Sequence, residues 1–383
     1  MEYKKLGDIA TYINGYPFKP EDRGECGLPI IRIQDLTGNT YDLGYYDGKY
    51  PERIEINNGD ILISWSASLG VYVWNRGKAL LNQHIFKVVF DKVEINKRYF
   101  VYAVQFKLKE MEAKTHGATM KHIVKKDFDS TLIPYPSLKE QSRIAEIIDS
   151  IAKSINMRQK QLQKLDELVK ARFVELFGDP KLNDKGWNAG IVSDYYEVKG
   201  GKRIPKGMGY ADGVTAHPYL RATDMKNETI LDDDIHYIDE EVYALIKRYT
   251  VKSGDVYLTN VGVNLGMAGV IPEKYDGANL TENAVKLVPK TEKVIDGVFL
   301  AHYINSPGIQ DYINERKMSV GVPKLAIFRI ETMPLLLPPM DIQMQFIEFC
   351  KQTDKSKLAI QQSLDKLKTL RKSLMQEYYG QGE

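Results

Sequence analysis

The sequence is poor in cysteine and has no long apolar segment. Its two cysteines, Cys26 and Cys350, form neither a CxxC pair nor another metal-binding spacing. We interpret both as packing residues of a protein of the reducing cytoplasm. No apolar run approaches the ~20 residues that a membrane helix needs. The N-terminal residues MEYKKLGDIA lack the apolar core of a signal peptide. These absences argue against a secreted or membrane protein.

The net charge is also small, at +2. A strongly basic chain would favour nucleic-acid binding by itself, whereas here any DNA-binding surface must come from local clusters of lysine and arginine. The hydrophobic share of 43% and the charged share of 27% are typical of a globular protein, and 383 residues suffice for two or three domains.

Sequence signatures of enzymes are absent as well. There is no G-x-G-x-x-G motif, and the GGK that ends at Lys202 lacks the Ser or Thr of a phosphate-binding loop. An adenine methyltransferase would be expected, by family resemblance, to contain an Asn/Asp-Pro-Pro-aromatic motif. This sequence contains none. His116 and His122 are six residues apart, which is not the spacing of two metal ligands on one helical face. We interpret His302 as a packed core histidine. We expect no catalytic residue and no metal site.

What the sequence does contain is an internal repeat of about half its length. Seven segments recur in the same order: residues 6–9 match 192–195, 29–35 match 218–224, 59–64 match 254–259, 69–70 match 265–266, 82–84 match 281–283, 100–102 match 299–301, and 133–141 match 335–343. The period is too long for a solenoid or a propeller. The chain therefore contains two copies of one domain.

Each copy combines strands with helices. The segments GDILIS and GDVYLT predict a Gly-Asp turn followed by a short buried strand. HIFKVVF and NAVKLVP predict further strands of the same sheets. The predicted class is α+β, with two globular α/β domains in tandem.

A long helix follows the first copy. No proline or glycine occurs from Lys139 to Phe177, and Gly178 and Pro180 then end the segment. Alternating steps of four and three residues trace a mostly apolar seam through Ile144, Ile148, Ile151, Ile155, Arg158, Leu162, Leu165, Val169, Arg172 and Leu176. This spacing is typical of a coiled coil. At ~1.5 Å per residue the helix is about 58 Å long.

A second helix keeps the same register at an offset of 202 residues and ends at Gly380. Its seam runs through Phe346, Cys350, Thr353, Lys357, Ile360, Leu364, Leu367, Arg371, Leu374 and Tyr378. Because this seam is apolar mainly in its C-terminal half, we expect its first turns to pair weakly. Connectivity favours an antiparallel coiled coil, and the alternative is that each helix packs on its own domain. The predicted division is globular domains at 1–138 and 178–340, with long helices at 139–177 and 341–383.

Three stretches carry a family resemblance. They are IPYPSLKEQSRIAEIIDSI with its degraded twin LLLPPMDIQMQFIEFC, the LFGDP that precedes Gly186-Trp187, and GATMKHIVKKDF. Together they resemble the specificity subunits of type I restriction–modification systems over essentially the whole chain. VGVPKLAIFRIETM is a poor second copy of GATMKHIVKKDF. Trp65 and Asn260 stand where that family often has a basic residue, which weakens the transfer of a phosphate contact to them.

The resemblance implies a function. Each globular domain reads one half of a split double-stranded DNA sequence, and the helices set the half-site spacing and dock two modification (methyltransferase) subunits. Those subunits bind S-adenosylmethionine and methylate adenine, and restriction subunits can join them. The chain itself is expected to hold no cofactor and to be non-catalytic.

Four regions are candidates for DNA contact, because phosphates require cations and base edges require polar side chains. The first is the basic loop GGKRIPK, with Lys202, Arg203 and Lys206. The second is its counterpart NGYPFK, with Tyr16 and Lys19. The alternatives are an ordinary solvated loop for the first and a tucked aromatic for the second.

The third region is a pair of equivalent glycine-containing loops. One holds Ser64, Ser66 and Ser68, and the other holds Asn260 and Asn264, which could read adenine. The alternative is a plain hairpin loop.

The fourth region is the polar segment before the first long helix. His116, Thr119, Lys121, His122 and Lys125 would form a phosphate-binding patch there, and the alternative is a solvated helix start.

Two other functions fit parts of the sequence. A coiled-coil adaptor without DNA contact agrees with the low net charge. A single-chain methyltransferase would require binding of S-adenosylmethionine by this chain.

Overall fold

The computed structural model describes residues 2–39, 42–114, 123–290, 295–318 and 321–380. The chain divides into two units, one of Met1–Gln159 with Gln361–Glu383 and one of Lys160–Ile360. Each unit therefore contains one copy of the repeat together with part of both long helices. Within the described residues, no helix is long and apolar enough to cross a membrane.

The first unit is built on two four-stranded sheets. Its strands are β1 (Tyr3–Lys5), β2 (Thr11–Asn14), β3 (Leu28–Ile31), β4 (Tyr45–Tyr46), β5 (Glu55–Ile56), β6 (Ile61–Ser64), β7 (Gly70–Val73), β8 (Ala79–Leu81), β9 (Ile85–Val89) and β10 (Leu132–Pro134). Its helices are α1 (Leu6–Ile9), α2 (Ile33–Thr37), α3 (Lys97–Lys114), α4 (Lys125–Ser130) and the first part of α5 (Leu138–Phe177). The sheet orders are β2-β9-β6-β7 and β4-β3-β8-β5, and β1 pairs with β10.

The second unit repeats this plan. Its strands are β11 (Asn188–Ile191), β12 (Tyr196–Gly200), β13 (Pro218–Leu220), β14 (Met225–Lys226), β15 (Thr229–Ile230), β16 (His236–Tyr237), β17 (Val256–Thr259), β18 (Ala268–Val270), β19 (Asn279–Leu280), β20 (Ala284–Pro289) and β21 (Pro334–Leu337). Its helices are α6 (Val192–Tyr195), α7 (Glu240–Ile246), α8 (Gly297–Asn305), α9 (Pro307–Arg316), α10 (Ile327–Glu331) and the first part of α11 (Met340–Tyr379). The orders are β12-β20-β17-β18 and β16-β13-β19, with the pairs β11-β21 and β14-β15.

The two plans agree in their main sheets, although the second unit has three strands in the sheet that has four in the first and adds the β14-β15 pair. The sheet β2-β9-β6-β7 corresponds to β12-β20-β17-β18, and both are antiparallel throughout. The parallel pair β3-β8 corresponds to the parallel pair β13-β19. The predicted tandem repeat and its mixed α/β domains are confirmed, as are the strands predicted from GDILIS, GDVYLT, HIFKVVF and NAVKLVP.

The repeated Gly-Asp pair has a structural reason. The glycine before each aspartate has a positive φ, 93° in the first unit and 82° in the second, which favours glycine. The Asp60 carboxylate accepts a backbone N–H at 2.8 Å and lies 3.2 Å from Lys87 Nζ. Asp255 likewise accepts a backbone N–H at 2.8 Å and lies 3.4 Å from Lys286 Nζ. Each aspartate thus closes the turn before the central strand and ties it to the neighbouring strand.

The long helices run antiparallel to each other in each unit. In the first unit, Ile144 and Ile148 near the start of α5 share a core with Tyr379 at the end of α11. In the second, Phe173 near the end of α5 lies 5.5 Å, ring to ring, from Phe346 near the start of α11. The alternative that each helix packs only on its own domain is wrong, because Tyr379 also packs on the first domain.

The predicted seam agrees with the burial along both helices. All twenty of its positions in α5 and α11 are buried or half-buried. The first turns of α11 are well packed, because Phe346, Cys350 and Thr353 are at most 5% exposed, while their weak pairing with α5 stays a prediction. Phe346 fills an aromatic cluster, and the Thr353 hydroxyl donates to the carbonyl of Phe349 at 2.9 Å. Tertiary contacts outweigh the polar composition of these turns.

Candidate nucleic-acid interface

Three of the four candidate regions meet at one edge of the four-stranded sheet in the first unit. Strands β2 and β6 both pair antiparallel with β9, so they run in the same direction and end at the same edge, at Asn14 and Ser64. There Trp65 Nε1 donates to Asn14 Oδ1 at 3.3 Å. The backbone N–H of Ile123, which leads into α4, donates to the Trp65 carbonyl at 3.0 Å. We call this border of each sheet the strand-end edge.

The strand-end edge of the second unit is assembled in the same way. Strands β12 and β17 end there, at Gly200 and Thr259. The backbone N–H of Leu325 donates to the carbonyl of Asn260 at 2.8 Å, and that of Gly262 donates to the carbonyl of Pro323 at 2.9 Å. The loop after β12, the loop after β17 and the segment before α10 therefore converge, as their counterparts do in the first unit.

A glycine is required where the chain leaves β2 and β12. A Cβ added to Gly15 would lie 2.0 Å from the carbonyl oxygen of Asn82, and one added to Gly201 would lie 2.0 Å from that of Thr281. Both contacts are with backbone that cannot easily move. The glycines in NGYPF and GGKRI thus allow these loops to cross closely over the neighbouring chain and start at the strand-end edge.

Three predicted DNA contacts are corrected by their burial. Ser64 is fully buried and donates to the Ser68 carbonyl at 2.5 Å, while Ser66 is 7% exposed. Asn260 is 5% exposed, and its amide donates to the Leu325 carbonyl at 3.3 Å. Ser64 and Asn260 shape the loops that they belong to, and none of the three reaches the surface. Asn264 is half-buried and donates to the Ala222 carbonyl at 3.3 Å.

The other described candidates are on the surface. Tyr16 is 38% exposed, with its ring edge against Phe18 at 5.0 Å. The remaining exposed candidates are Lys19, Ser68, Lys125, Lys202, Arg203 and Lys206. His116, Thr119, Lys121 and His122 lie outside the described residues.

The cations differ in how far their charge is already balanced. Lys125 Nζ lies 2.5 Å from Asp129 and 5.8 Å from the centre of the Tyr12 ring. Arg203 lies 2.5 Å from Glu282. Burial opposes ionisation of Glu282, but its hydrogen bond from Arg203 keeps its pKa below the usual value. Within the described part of the chain, Lys202 and Lys206 form no ion pair, so their charge is the most available to a phosphate.

The second unit contains a hydrogen-bonded series that resembles a catalytic nucleophile with its base. It consists of Glu228, His302 and Cys350. His302 Nδ1 lies 3.1 Å from the Glu228 carboxylate, and the Cys350 sulfur lies 3.6 Å from His302 Nε2. Burial raises the pKa of the Cys350 thiol to about 12, so the thiol is protonated at neutral pH and is a poor nucleophile. His302 packs its ring edge on Phe346 at 5.0 Å, which agrees with a core histidine.

Comparison with known proteins identifies the family. The sequence matches the family model of the type I restriction modification DNA specificity domain at residues 1–167 and again at residues 184–369. The chain belongs to this family. It is a specificity subunit with two target-recognition domains in tandem, and the resemblance found in its sequence is confirmed.

Named relatives span nearly the same length. The specificity subunit of the type I restriction enzyme EcoBI from Escherichia coli is 24% identical over 376 residues, covering 91% of this chain and 78% of the relative. The MjaVIII specificity subunit from Methanocaldococcus jannaschii is 21% identical over 372 residues, covering 92% and 86%.

Solved structures share the fold. The S subunit of the M. genitalium type I restriction–modification system aligns with a TM-score of 0.55 at 14% identity, covering 100% of this chain and 96% of that one. A structure reported for complex assembly and conformational transition of the type I system aligns with a TM-score of 0.62 at 14% identity, covering 98% and 97%.

Proposed function

We propose that each unit reads one half of a split DNA target with its strand-end edge. The observation that carries this proposal is that the same three segments converge at the same edge in both units. In each unit these segments present exposed lysines, Lys19 in the first and Lys202 and Lys206 in the second. These cations would contact phosphates and set the register, and Tyr16 and Ser68 are placed to meet base edges.

We infer that the long helices set the half-site spacing and dock two modification subunits. Restriction subunits can join this complex. The outward faces of α5 and α11 support a docking role, because they expose large apolar side chains to solvent. Met157, Leu168 and Val174 on α5 are each about half exposed, and Leu358 and Leu370 on α11 are 60% and 47% exposed. Exposed side chains of this kind would offer apolar surface for a partner protein to bury.

We also propose that the chain is not itself a catalyst and holds no cofactor. Methylation of adenine would take place on the modification subunits, with S-adenosylmethionine bound there. The chain would act in the cytoplasm, where its DNA target is found.

The test is genome-wide mapping of methylated adenine in cells that carry this gene and its modification partner, compared with cells that lack only this gene. A split methylation motif that appears only with the gene is expected, and it would identify both half-sites. If the two proteins are expressed and associated but the methylation maps are the same, the specificity role is wrong and a coiled-coil adaptor takes its place.

A further inference from the structure

The second unit has a basic cavity beside its strand-end edge. The cavity has a volume of about 240 Å³ and lies between the end of β12 and the segment that joins α7 to β17. It is lined by Lys199, Gly200, Arg248, Tyr249, Thr250, Leu280 and Lys286. Three of these residues are cationic, and none of the described lining residues is acidic. The cavity is large enough for a phosphate group and has the charge to attract one.

The lining cations are only partly balanced by carboxylates. Lys199 is 2.7 Å from Glu197 at an exposed position, and such pairs contribute little in water. Lys286 Nζ is 3.4 Å from Asp255. Arg248 is exposed and forms no ion pair with any residue that the structure describes. Its planar guanidinium matches the geometry of a phosphate better than an ammonium group does.

The cavity is continuous with the basic loop of the strand-end edge. The backbone N–H of Lys202 donates to the carbonyl of Leu280, which lines the cavity, at 2.8 Å. The Lys202 ammonium and the Arg248 guanidinium lie 5.9 and 5.7 Å from the centre of the Tyr249 ring. A fourth cation thus borders the cavity on the side of the proposed DNA surface.

Arg53 and Lys87 of the first unit stand where the second has Arg248 and Lys286, but two other lining positions differ between the units. Lys199 faces Lys286 across the β12–β20 pair, and the residue that faces Lys87 in the matching β2–β9 pair is Ile13. Thr250 bridges to Asn279, the residue before Leu280. In the first unit the matching position is taken by Glu55, which faces Leu80.

The Glu55 carboxylate also changes the local charge. It lies 2.9 Å from Lys78 Nζ and accepts a hydrogen bond from the Tyr50 hydroxyl at 2.8 Å. The first unit therefore presents an apolar side chain and an anion where the second presents a lysine and a threonine.

We propose that this cavity binds a phosphate of the DNA backbone in the half-site that the second unit reads. The inference rests on the proposed DNA-reading function and adds an asymmetry to it. The second unit holds its half-site with an extra backbone contact, and the first unit lacks that contact.

The test uses the full chain in complex with its modification subunits and a duplex that carries the mapped target. Lys199→Ile and Thr250→Glu each install the residue of the first unit. We expect several-fold weaker binding and, for Lys199→Ile, a salt-dependence slope smaller by about 1. Lys185→Ile is the matched control, because Lys185 is exposed on the turn after α5 and does not line the cavity. The DNA affinity of the Lys185→Ile complex should equal that of the wild type.

Phosphate ethylation interference then locates the contact. In the wild-type complex, ethylation of a backbone phosphate in the second half-site should weaken binding, and in the Lys199→Ile complex that interference should be lost. Normal affinity and slope in both variants, while the wild type binds its target, would overturn the cavity proposal alone. Failure of the wild-type complex to bind DNA would overturn the DNA-reading function and this inference with it.

Calorimetry with inorganic phosphate at constant ionic strength distinguishes a site for free anions from a site for the DNA backbone. If the wild-type complex binds phosphate, the Lys199→Ile complex does not, and both bind DNA equally, then the cavity is a site for free anions and the DNA proposal is wrong.

Discussion

The side-chain amide of Gln141 donates to the carbonyl oxygen of Pro136 at 2.9 Å, five residues before it in the chain. The same side chain accepts the backbone N–H of Asn96 at 2.9 Å. Gln343 makes the equivalent two hydrogen bonds at the start of α11, at 2.8 and 2.9 Å. Both glutamines are fully buried. One amide in each unit therefore fixes the first turn of a long helix to the domain that precedes it.

Replacing Gln141 by leucine should destabilise the first unit by about 1–3 kcal/mol, because the partly buried N–H of Asn96 and carbonyl of Pro136 lose their partner. The measurement is chemical unfolding of the purified chain, with hydrogen exchange at residues 96 and 141 to locate the effect. Gln163→Leu is the control, because Gln163 is exposed and its side chain donates to Glu167 one turn away in the same helix. Equal stability of the two variants would contradict the anchoring role.

The aromatic cluster around Phe346 should contribute more to stability than the Gln141 hydrogen bonds do. Phe346 lies 5.5 Å, ring to ring, from both Phe173 and Phe177 and is fully buried. Phe346→Ala should therefore destabilise the second unit by about 3–5 kcal/mol, which is typical of a large aromatic removed from a core. Met344→Ala, at a position 47% exposed, is the control and should change stability little. A small effect of the Phe346 substitution in thermal unfolding would show that α11 does not depend on this contact.

The sequence predicted the scaffold well because the scaffold rests on local rules. Asp60 and Asp255 close turns after a glycine with positive φ, and this pattern is visible in the sequence. The seam residues recur at coiled-coil spacing, and burial follows that spacing even at Arg158 and Arg371, both half-buried. In these places the local pattern and the tertiary contacts favour the same structure.

The sequence was less informative about the interface. Asn260 follows a strand in a polar loop, which predicts exposure, but a contact with Leu325, 65 residues away, buries it. Arg248 and Lys199 are far apart in the chain and have no motif, so only the strand register brings them to one cavity. Side-chain direction in a loop depends on such long-range contacts, and composition does not reveal them.

Removing Lys202 and Lys206, which form no ion pair among the described residues, should weaken DNA binding without altering the target sequence. Lys202→Gln and Lys206→Gln together should reduce the slope of log affinity against log salt by about 2, because each phosphate contact contributes about 1. The measurement is a salt titration of complex binding to duplex DNA. The methylation motif should be unchanged, because phosphate contacts carry no sequence information.

Lys226→Gln is the matched control for this pair, because Lys226 is exposed on β14 and forms no ion pair with a described residue. A slope equal to that of the wild type in the double variant would remove the GGKRIPK loop from the interface.

The two cysteines should differ in reactivity. Cys26 is exposed, so its interpretation as a packing residue is wrong. Its hydrogen bond to Asp47 raises the pKa of its thiol, so it should react slowly with an alkylating reagent. Burial both shields Cys350 and raises its thiol pKa to about 12. We expect mass spectrometry of the native chain at pH 8 to find label on Cys26 only, with Cys350 labelled after denaturation. Rapid labelling of native Cys350 would show that the thiol is accessible and would reopen the question of its chemistry.

Lengthening both helices should change the gap between the half-sites and nothing else. Seven residues inserted after Gln159 in α5 and seven after Ile360 in α11 preserve the seam, because a heptad returns each side chain to the same position. The insertion adds about 10 Å of helix, or about three base pairs of DNA. Mapping of methylated adenine should therefore show both half-sites unchanged, with a spacer about three base pairs longer.

An insertion of seven residues in α5 alone is the informative control for that experiment. It shifts the seam of one helix against the other, so we expect the antiparallel pairing and the methylation to be lost together. If the double insertion altered the bases of either half-site while the spacer stayed the same, the helices would be part of the reading surface and would not set the spacing.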